Sequence, residues 1–390
     1  MINYDKILNK TVTEIKPSGI RKFFDIAEEM KEVISLGVGE PDFRTPWPVR
    51  EAGIVSLQKG YTRYTANSGL LKLREEISNY CERKFGLCYN PKTEILVTVG
   101  GSEAIDGAVR ALVGPGDEVL IPQPSFVCYE PITRLAGGIP KIINTKVENQ
   151  FRLTAKELKE NITEKTKALI LPYPCNPTGA IMEKQHLEEI AAVLKETDII
   201  VISDEIYSEL TYGGKKHTSI ASIDGMKERT VLINGFSKTF SMTGWRLGFA
   251  CGPAPILKQM TKIHQFAIMS APTTSQYAAI KALTECEENV EEMLNEYDCR
   301  RRIMVDGFNS LGLTCFEPKG AFYAFPCIKS TGLSSEEFCE KLLYDQHVAL
   351  VPGTAFGESG EGYIRASYCY SVEHIKEALR RIKKFLDNRG

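Results

Sequence analysis

Short apolar runs alternate with amphipathic stretches through the middle of the chain. The apolar runs predict β-strands at 95–99, 118–121, 141–144, 168–171, 199–202 and 231–233, with a seventh at 246–250. Helical periodicity lies between most of these runs, at 104–112, 131–136, 155–161 and 183–196. Strands that are apolar on both faces must be covered on both faces. The pattern therefore predicts an α/β fold with a mostly parallel sheet between helical layers.

The pattern changes towards both ends of the chain. It predicts short strands at 33–36, 321–325, 348–351 and 363–367, and helices at 20–30, 48–59, 70–85, 335–344 and 372–387, with a helical region at 255–310. Short strands mixed with helices are typical of a smaller α+β domain. We expect an N-terminal arm and part of this small domain over 1–45, the large domain over 46–285, and the rest of the small domain over 286–390.

Composition narrows the function classes. The 390 residues are 43% hydrophobic and 25% charged, with a formal net charge of -2, so no basic surface indicates nucleic acid or an anionic membrane. No run approaches the roughly 18 apolar residues of a spanning helix, and the polar N-terminus is unlike a secretory signal. The 11 cysteines are scattered without CxxC pairs, and the 5 histidines are isolated. We expect a cytoplasmic protein with free thiols, no metal, no nucleic-acid partner and no membrane partner.

Candidate chemistry is densest in the stretch that follows the strand at 231–233. Lys238 lies there among small and hydroxyl side chains, with Ser237 before it and Arg246 eight positions later. An amine in an apolar neighbourhood has a lowered pKa and can form Schiff bases with carbonyl compounds. Hydroxyls and an arginine suit a phosphate ester. A solvent-exposed loop lysine is the alternative, but Phe240 and Trp245 crowd this one, which favours a pyridoxal-phosphate site.

Polar side chains also follow two other predicted strands. Asp204 ends an apolar run, where its carboxylate can keep a pyridinium ring protonated, and Tyr207 follows it closely enough to reach the same ring. Helix capping is the alternative for Asp204. Asn176, in the rigid loop PCNPTG, can bond a ring oxygen or a carboxylate, or can act as a turn residue.

Weaker signals complete the set. Gly101 and Ser102 open a helix after the first predicted strand, where backbone N–H groups favour an anion. Phe126 can stack on a flat ring or simply pack in the core. Arg365 is a charge in an apolar strand and needs an anionic partner such as a substrate carboxylate. The chain lacks the G-x-G-x-x-G and P-loop fingerprints, which argues against a dehydrogenase or a nucleotide-binding protein.

The chain contains, in this order, the segments LGVGEPDF, YTRYTANSGLLKLRE, GGSEAI, PSFVCYEP, PCNPTG, SDEIY, GFSKTFSMTGWRLGF, KGAFYAF, VPGTAFG and YIRASY. In order and spacing they resemble the fold-type I pyridoxal-phosphate aminotransferases of classes I and II, which include aspartate and aromatic aminotransferases. The resemblance runs from about Ile15 to the C-terminus. It implies a three-layer αβα large domain with a seven-stranded sheet, and a small domain formed by both chain ends.

The resemblance also implies residue roles. Lys238 would be the Schiff-base lysine, and Arg365 would bind the α-carboxylate of the substrate. The remaining cofactor contacts would be Asp204 at the pyridinium, Asn176 and Tyr207 at the ring oxygen, Phe126 stacked on the ring, and Gly101, Ser102, Ser237 and Arg246 at the phosphate. Tyr64 would reach the phosphate from the other subunit of a homodimer. Asn176 and the backbone at Gly39 would assist Arg365.

Three positions depart from family patterns. The ring-stacking residue is Phe126 where relatives often have Trp or Tyr. Phe266 stands where aspartate aminotransferases have an arginine for the distal carboxylate, and Ser102 where some bacterial relatives have a lysine. The last two departures argue against strict aspartate specificity. The resemblance implies a ping-pong transaminase with an aspartate or aromatic donor and 2-oxoglutarate as acceptor. A β-lyase on the same scaffold and an aminotransferase-like ligand-sensing regulator are the alternatives.

Overall fold

A seven-stranded sheet forms the centre of the protein. The structure is a computed structural model that describes residues 2–17, 19, 30 and 32–389. Its strands are β1 (Ile34–Ser35), β2 (Ile95–Thr98), β3 (Glu118–Gln123), β4 (Ile139–Asn144), β5 (Thr166–Leu171), β6 (Ile200–Asp204), β7 (Thr230–Gly235), β8 (Gly248–Cys251), β9 (Tyr323–Ala324), β10 (Val348–Ala349), β11 (Val351–Pro352) and β12 (Ile364–Ser367). The large sheet has the order β2-β8-β7-β6-β5-β3-β4. The predicted α/β fold with a mostly parallel seven-stranded sheet is confirmed.

Helices surround the sheet and extend beyond it. Within the described residues they are α1 (Lys10–Glu14), α2 (Trp47–Gln58), α3 (Leu71–Phe85), α4 (Gly101–Leu112), α5 (Tyr129–Leu135), α6 (Ala155–Asn161), α7 (Lys184–Leu194), α8 (Ala254–Ala267), α9 (Thr273–Glu285), α10 (Glu287–Ser310), α11 (Ser335–Gln346) and α12 (Val372–Asp387). The helix predicted over 20–30 falls, apart from Met30, outside the described residues. No described helix is long and apolar enough to cross a membrane.

Strand direction decides which loops meet at one edge of the sheet. The pairs β3–β4, β3–β5, β5–β6 and β6–β7 are parallel, whereas β8 is antiparallel to both of its neighbours, β7 and β2. The carboxyl ends of the other six strands of the large sheet therefore lie at the edge where β8 begins. The sequence predicted this last strand at 246–250, but it starts at Gly248, because Arg246 has φ 51° and turns the chain before the strand.

The two faces of the sheet bury different helices. Along β5, Ala168 and Ile170 belong to a core shared with α4, α5 and α8, whereas Leu169 and Leu171 belong to a core shared with α6 and α7. This alternation is the two-residue period of a strand. Because both sets are buried, the strands read as continuous apolar runs, and the three-layer arrangement follows.

Two smaller sheets lie outside the large sheet, and one of them joins the two chain ends. β1 pairs in parallel with β10, and β12 lies between β11 and β9 as the centre of an antiparallel sheet. The strand predicted at 321–325 is reduced to β9, and that predicted at 348–351 is split between the two sheets. The domain boundaries at 45 and 285 stay predictions. All 11 cysteines are free, and seven of them are buried.

Candidate active site

A cavity of about 510 Å³ lies at the sheet edge where β8 begins. Eleven of the twelve predicted site residues line it, and they come from loops after β2, β3, β5, β6 and β7, from the turn before β8 and from two segments outside the large sheet. They are Gly39, Gly101, Ser102, Phe126, Asn176, Asp204, Tyr207, Ser237, Lys238, Arg246 and Arg365. Ligands of open α/β sheets bind beyond the carboxyl ends of the strands, and this cavity occupies that position.

Lys238 lies on the turns that follow β7, with its ammonium group directed into the cavity. Its Nζ donates a hydrogen bond to the carbonyl oxygen of Gly39 at 2.6 Å and lies 5.6 Å from the ring centroid of Phe322. Burial lowers the pKa of Lys238 from 10.5 to about 8 because the charged form loses hydration. No described carboxylate lies within ion-pair distance of it. Lys238 is therefore an amine that becomes nucleophilic near neutral pH.

Asp204 ends β6 as a buried carboxylate, only 7% exposed. One of its oxygens accepts a hydrogen bond from the Tyr129 hydroxyl at 2.7 Å, and the other accepts from the backbone N–H of Ile206 at 3.2 Å. Burial raises the pKa of Asp204, although both hydrogen bonds oppose the shift. A turn follows β6, so Asp204 does not cap a helix. Among the described side chains Asp204 has no cationic partner, which leaves it suited to a cation bound in the cavity.

Arg365 on β12 is a buried cation, 2% exposed. Its Nη1 donates to Oδ1 of Asn176 at 2.9 Å and its Nη2 donates to the Gly37 carbonyl oxygen. Both acceptors are neutral, Nε has no hydrogen-bond partner, and no described carboxylate pairs with the guanidinium. Burial lowers the pKa of Arg365, yet an arginine stays charged. Such a group favours binding of a carboxylate from a ligand.

Another part of the cavity carries groups that are suited to an anion. Gly100 has φ 80° and turns the chain from β2 into α4, whose first residues are Gly101 and Ser102. A Cβ on Gly100 would lie 2.9 Å from Nη2 of Arg246, so the guanidinium packs against this turn. Ser237 lines the same cavity. A helix N-terminus, hydroxyl groups and an arginine are together suited to binding a phosphate.

The twelfth predicted site residue, Tyr64, lies away from the cavity, as does Phe266, which stands where aspartate aminotransferases have an arginine. Tyr64 is 83% exposed and Phe266 is 88% exposed, and neither lines the cavity of its own chain. The structure also adds two cavity residues that the sequence did not single out for a role. Tyr129 bonds Asp204, and Tyr323 contacts both Tyr207 and Arg365.

The described residues hold no metal-ion site. Nowhere among them do three His, Cys, Asp or Glu side chains come together as potential ligands. The groups that face the cavity are an amine, a guanidinium, a carboxylate, an amide and hydroxyls. These groups suit an organic molecule that carries a carbonyl, a phosphate and a carboxylate.

Comparison with known proteins agrees with this geometry. The profile of the family "Aminotransferase class I and II" matches residues 31–382. An aspartate aminotransferase of Pyrococcus abyssi (strain GE5 / Orsay) is 50% identical over 374 residues, which cover 95% of this chain and 96% of that protein. The aromatic-amino-acid aminotransferase 2 of Thermococcus litoralis is 46% identical over 381 residues, 97% of this chain and 98% of its own.

A solved structure shares the fold as well. The aromatic aminotransferase from Pyrococcus horikoshii OT3 superposes with a TM-score of 0.90 at 48% identity, over 94% of this chain and 99% of that chain. The chain belongs to the aminotransferase class I and II family. Within that family it is a transaminase of the aspartate and aromatic type.

The lowered pKa of Lys238 predicts unusual amine reactivity. Only a neutral amine reacts with an acylating reagent, so the labelling rate of Lys238 should rise with a midpoint near pH about 8. Exposed Lys72 is the internal control, because Glu76 raises its pKa above 10.5. The measurement is competitive acetylation across pH, read by peptide mass spectrometry, on protein first treated with hydroxylamine. Equal midpoints for the two lysines would contradict the assigned environment of Lys238.

Proposed function

We propose that this chain binds pyridoxal 5′-phosphate in the cavity and moves the amino group of an L-amino acid to 2-oxoglutarate by a ping-pong mechanism. The observation that carries this proposal is the set of three ionisable groups around one cavity, Lys238, Asp204 and Arg365, none of which has an opposite charge beside it among the described residues. Names of similar proteins support the reaction class, and the cavity supports the cofactor.

The residues present fit the cofactor at each of its functional groups. Asp204, buried without a cation, suits the pyridinium nitrogen. The α4 N-terminus with Ser237 and Arg246 suits the phosphate. Phe126, whose ring meets that of Tyr129 edge to face, suits one face of the pyridine ring. Tyr207 and the Nδ2 of Asn176, which makes no hydrogen bond to a described residue, suit the ring oxygen.

Two side chains of the protein have separate roles in the reaction. Arg365, helped by Asn176 and the backbone at Gly39, binds the α-carboxylate of the amino acid and so orients its Cα–H bond towards Lys238. The neutral amine of Lys238 takes the proton from that Cα as general base, a role that its lowered pKa favours near neutral pH. When bound, the cofactor supplies the electron sink that accepts the electron pair of the broken bond.

Replacement of Lys238 tests the assignment. The Lys238→Ala protein should retain the cofactor through the phosphate contacts and Asp204, yet lose at least about 10³-fold in turnover because general base and nucleophile are both removed. The measurement is glutamate formed from 2-oxoglutarate with a panel of donors. Lys258→Ala, on an exposed position of α8, is the matched control. Full activity in Lys238→Ala would refute the assignment, and release of pyruvate and ammonia by the unaltered protein would indicate a β-lyase.

Donor choice rests on the single guanidinium at the substrate side. Glu40 also lines the cavity, with its carboxylate bonded to the Thr243 hydroxyl. This carboxylate would repel the second carboxylate of an aspartate donor. This arrangement supports an aromatic donor at least as well as aspartate.

The donor panel tests whether the chain accepts this class of donors. We expect kcat/KM for tyrosine, phenylalanine or aspartate to exceed that for lysine by more than about tenfold, or roughly 1.4 kcal/mol. Double-reciprocal plots for donor and acceptor should give parallel lines, as a ping-pong mechanism requires. A preference for lysine, or intersecting lines, would contradict the proposal.

We also propose that two copies of the chain form a homodimer in which Tyr64 completes the phosphate site of the partner. The Asn67 side chain donates a hydrogen bond to the Met269 carbonyl oxygen. The two segments that this bond joins carry exposed apolar side chains. Tyr64→Phe removes one hydroxyl, so cofactor affinity should fall about 2- to 12-fold, the worth of one hydrogen bond. Sedimentation and cofactor titration measure this. A fully active monomer would overturn the assembly.

A further inference from the structure

Tyr323 lies where three parts of the candidate site meet. It is on β9, is 1% exposed, and lines the cavity. Its neighbour Ser367 in register on β12 lies two residues from Arg365, so the small antiparallel sheet fixes the position of Tyr323 relative to that arginine.

The hydroxyl of Tyr323 contacts two other site groups. It lies 2.9 Å from the hydroxyl of Tyr207, and either oxygen can be the donor. A Cβ built on Gly39 would come within 2.0 Å of the same hydroxyl oxygen, so only a glycine allows this close approach. Burial raises the pKa of Tyr323 to about 12, so the group stays a neutral donor at ordinary pH.

The ring of Tyr323 contacts Arg365. The guanidinium carbon lies 4.4 Å from the ring centroid of Tyr323 and 4.7 Å from that of Phe356. A guanidinium held between two aromatic faces has little freedom to tilt, and each desolvated contact of this kind stabilises the cation. This packing takes the place of a counter-charge for Arg365 when no carboxylate is bound.

We propose that Tyr323 is a positioning residue with two separable actions, one through its hydroxyl on Tyr207 and one through its ring on Arg365. When Tyr323 donates to the Tyr207 oxygen, the proton of Tyr207 is left to point into the cavity, and the chain of two hydroxyls makes Tyr207 a stronger donor. The ring meanwhile holds the guanidinium in the orientation that receives a carboxylate. The inference rests on the proposed function, in which Tyr207 bonds the ring oxygen of the cofactor.

The variants Tyr323→Phe and Tyr323→Leu separate the two actions. In Tyr323→Phe the ring stays and the hydroxyl is lost, so Tyr207 is a weaker donor to the negative ring oxygen. The pH midpoint of the cofactor's visible absorbance should therefore rise by roughly 0.2–0.6 pH units, with KM for the donor changed less than about twofold. In Tyr323→Leu the midpoint should rise equally, and KM should also rise about 2- to 30-fold as the contact with Arg365 is lost.

The control is Tyr80→Phe, which removes another buried tyrosine hydroxyl, bonded to Glu209, outside the cavity. It should leave both midpoint and KM unchanged. An unshifted midpoint in Tyr323→Phe overturns the action through the hydroxyl, and an unchanged KM in a folded Tyr323→Leu protein overturns the action through the ring. If Tyr323→Leu fails to fold, a twofold or larger rise of KM in Tyr323→Phe overturns the separation of the two actions. Failure of the proposed function is distinct, because the unaltered protein would then lack the absorbance band itself.

Discussion

Three ionisable groups face one cavity without a counter-charge among the described side chains, and this is the constraint on which the site depends. An unpaired buried charge costs several kcal/mol, and proteins reduce that cost by shifting the pKa towards the neutral form. Lys238 and Asp204 both follow this course, since the pKa of the lysine falls and that of the carboxyl rises. Arg365 stays charged, and the structure instead surrounds it with two aromatic faces and neutral acceptors. A scaffold maintains such groups when a bound molecule supplies the missing charges.

The direction of β8 brings these groups together. If β8 ran parallel to β7, its first residue would lie at the opposite edge of the sheet, and Arg246 would be a strand length away from Lys238. Because it is antiparallel to both neighbours, Arg246 comes directly against Gly100 at the α4 N-terminus. Only glycine at position 248 allows this close packing, since a Cβ there would lie 2.6 Å from the Gly100 carbonyl carbon. Arg365 reaches the same edge independently, from the small sheet.

Much of this arrangement is predictable from the sequence, and the limits are physical. Central strands are buried on both faces, so their apolar runs stand out. Polar residues that end such a run or follow it within a few positions, such as Asp204 and Asn176, must lie at the sheet edge. Short strands carry no such signal: two-residue elements like β9 show no alternation, which is why the extent of the small sheets was overestimated. Tyr323 was missed for the same reason, and the Tyr129–Asp204 bond was missed because a buried tyrosine at a helix start is most often core.

The groups assigned to the cofactor and those assigned to the substrate lie in different parts of the chain, which explains why the donor amino acid is harder to infer than the reaction. The groups assigned to the cofactor follow consecutive strands of one rigid sheet, so their relative positions change little with the rest of the chain. The groups proposed to bind the substrate, Arg365 and the backbone at Gly39, come from both chain ends, and their relative positions depend on packing between sheets. Of the three cations that line the cavity, Lys238, Arg246 and Arg365, only Arg365 is proposed to bind a carboxylate of the substrate. Discrimination between donors must therefore arise from neutral and acidic neighbours such as Glu40, whose contribution depends on distance and solvation rather than on residue type alone.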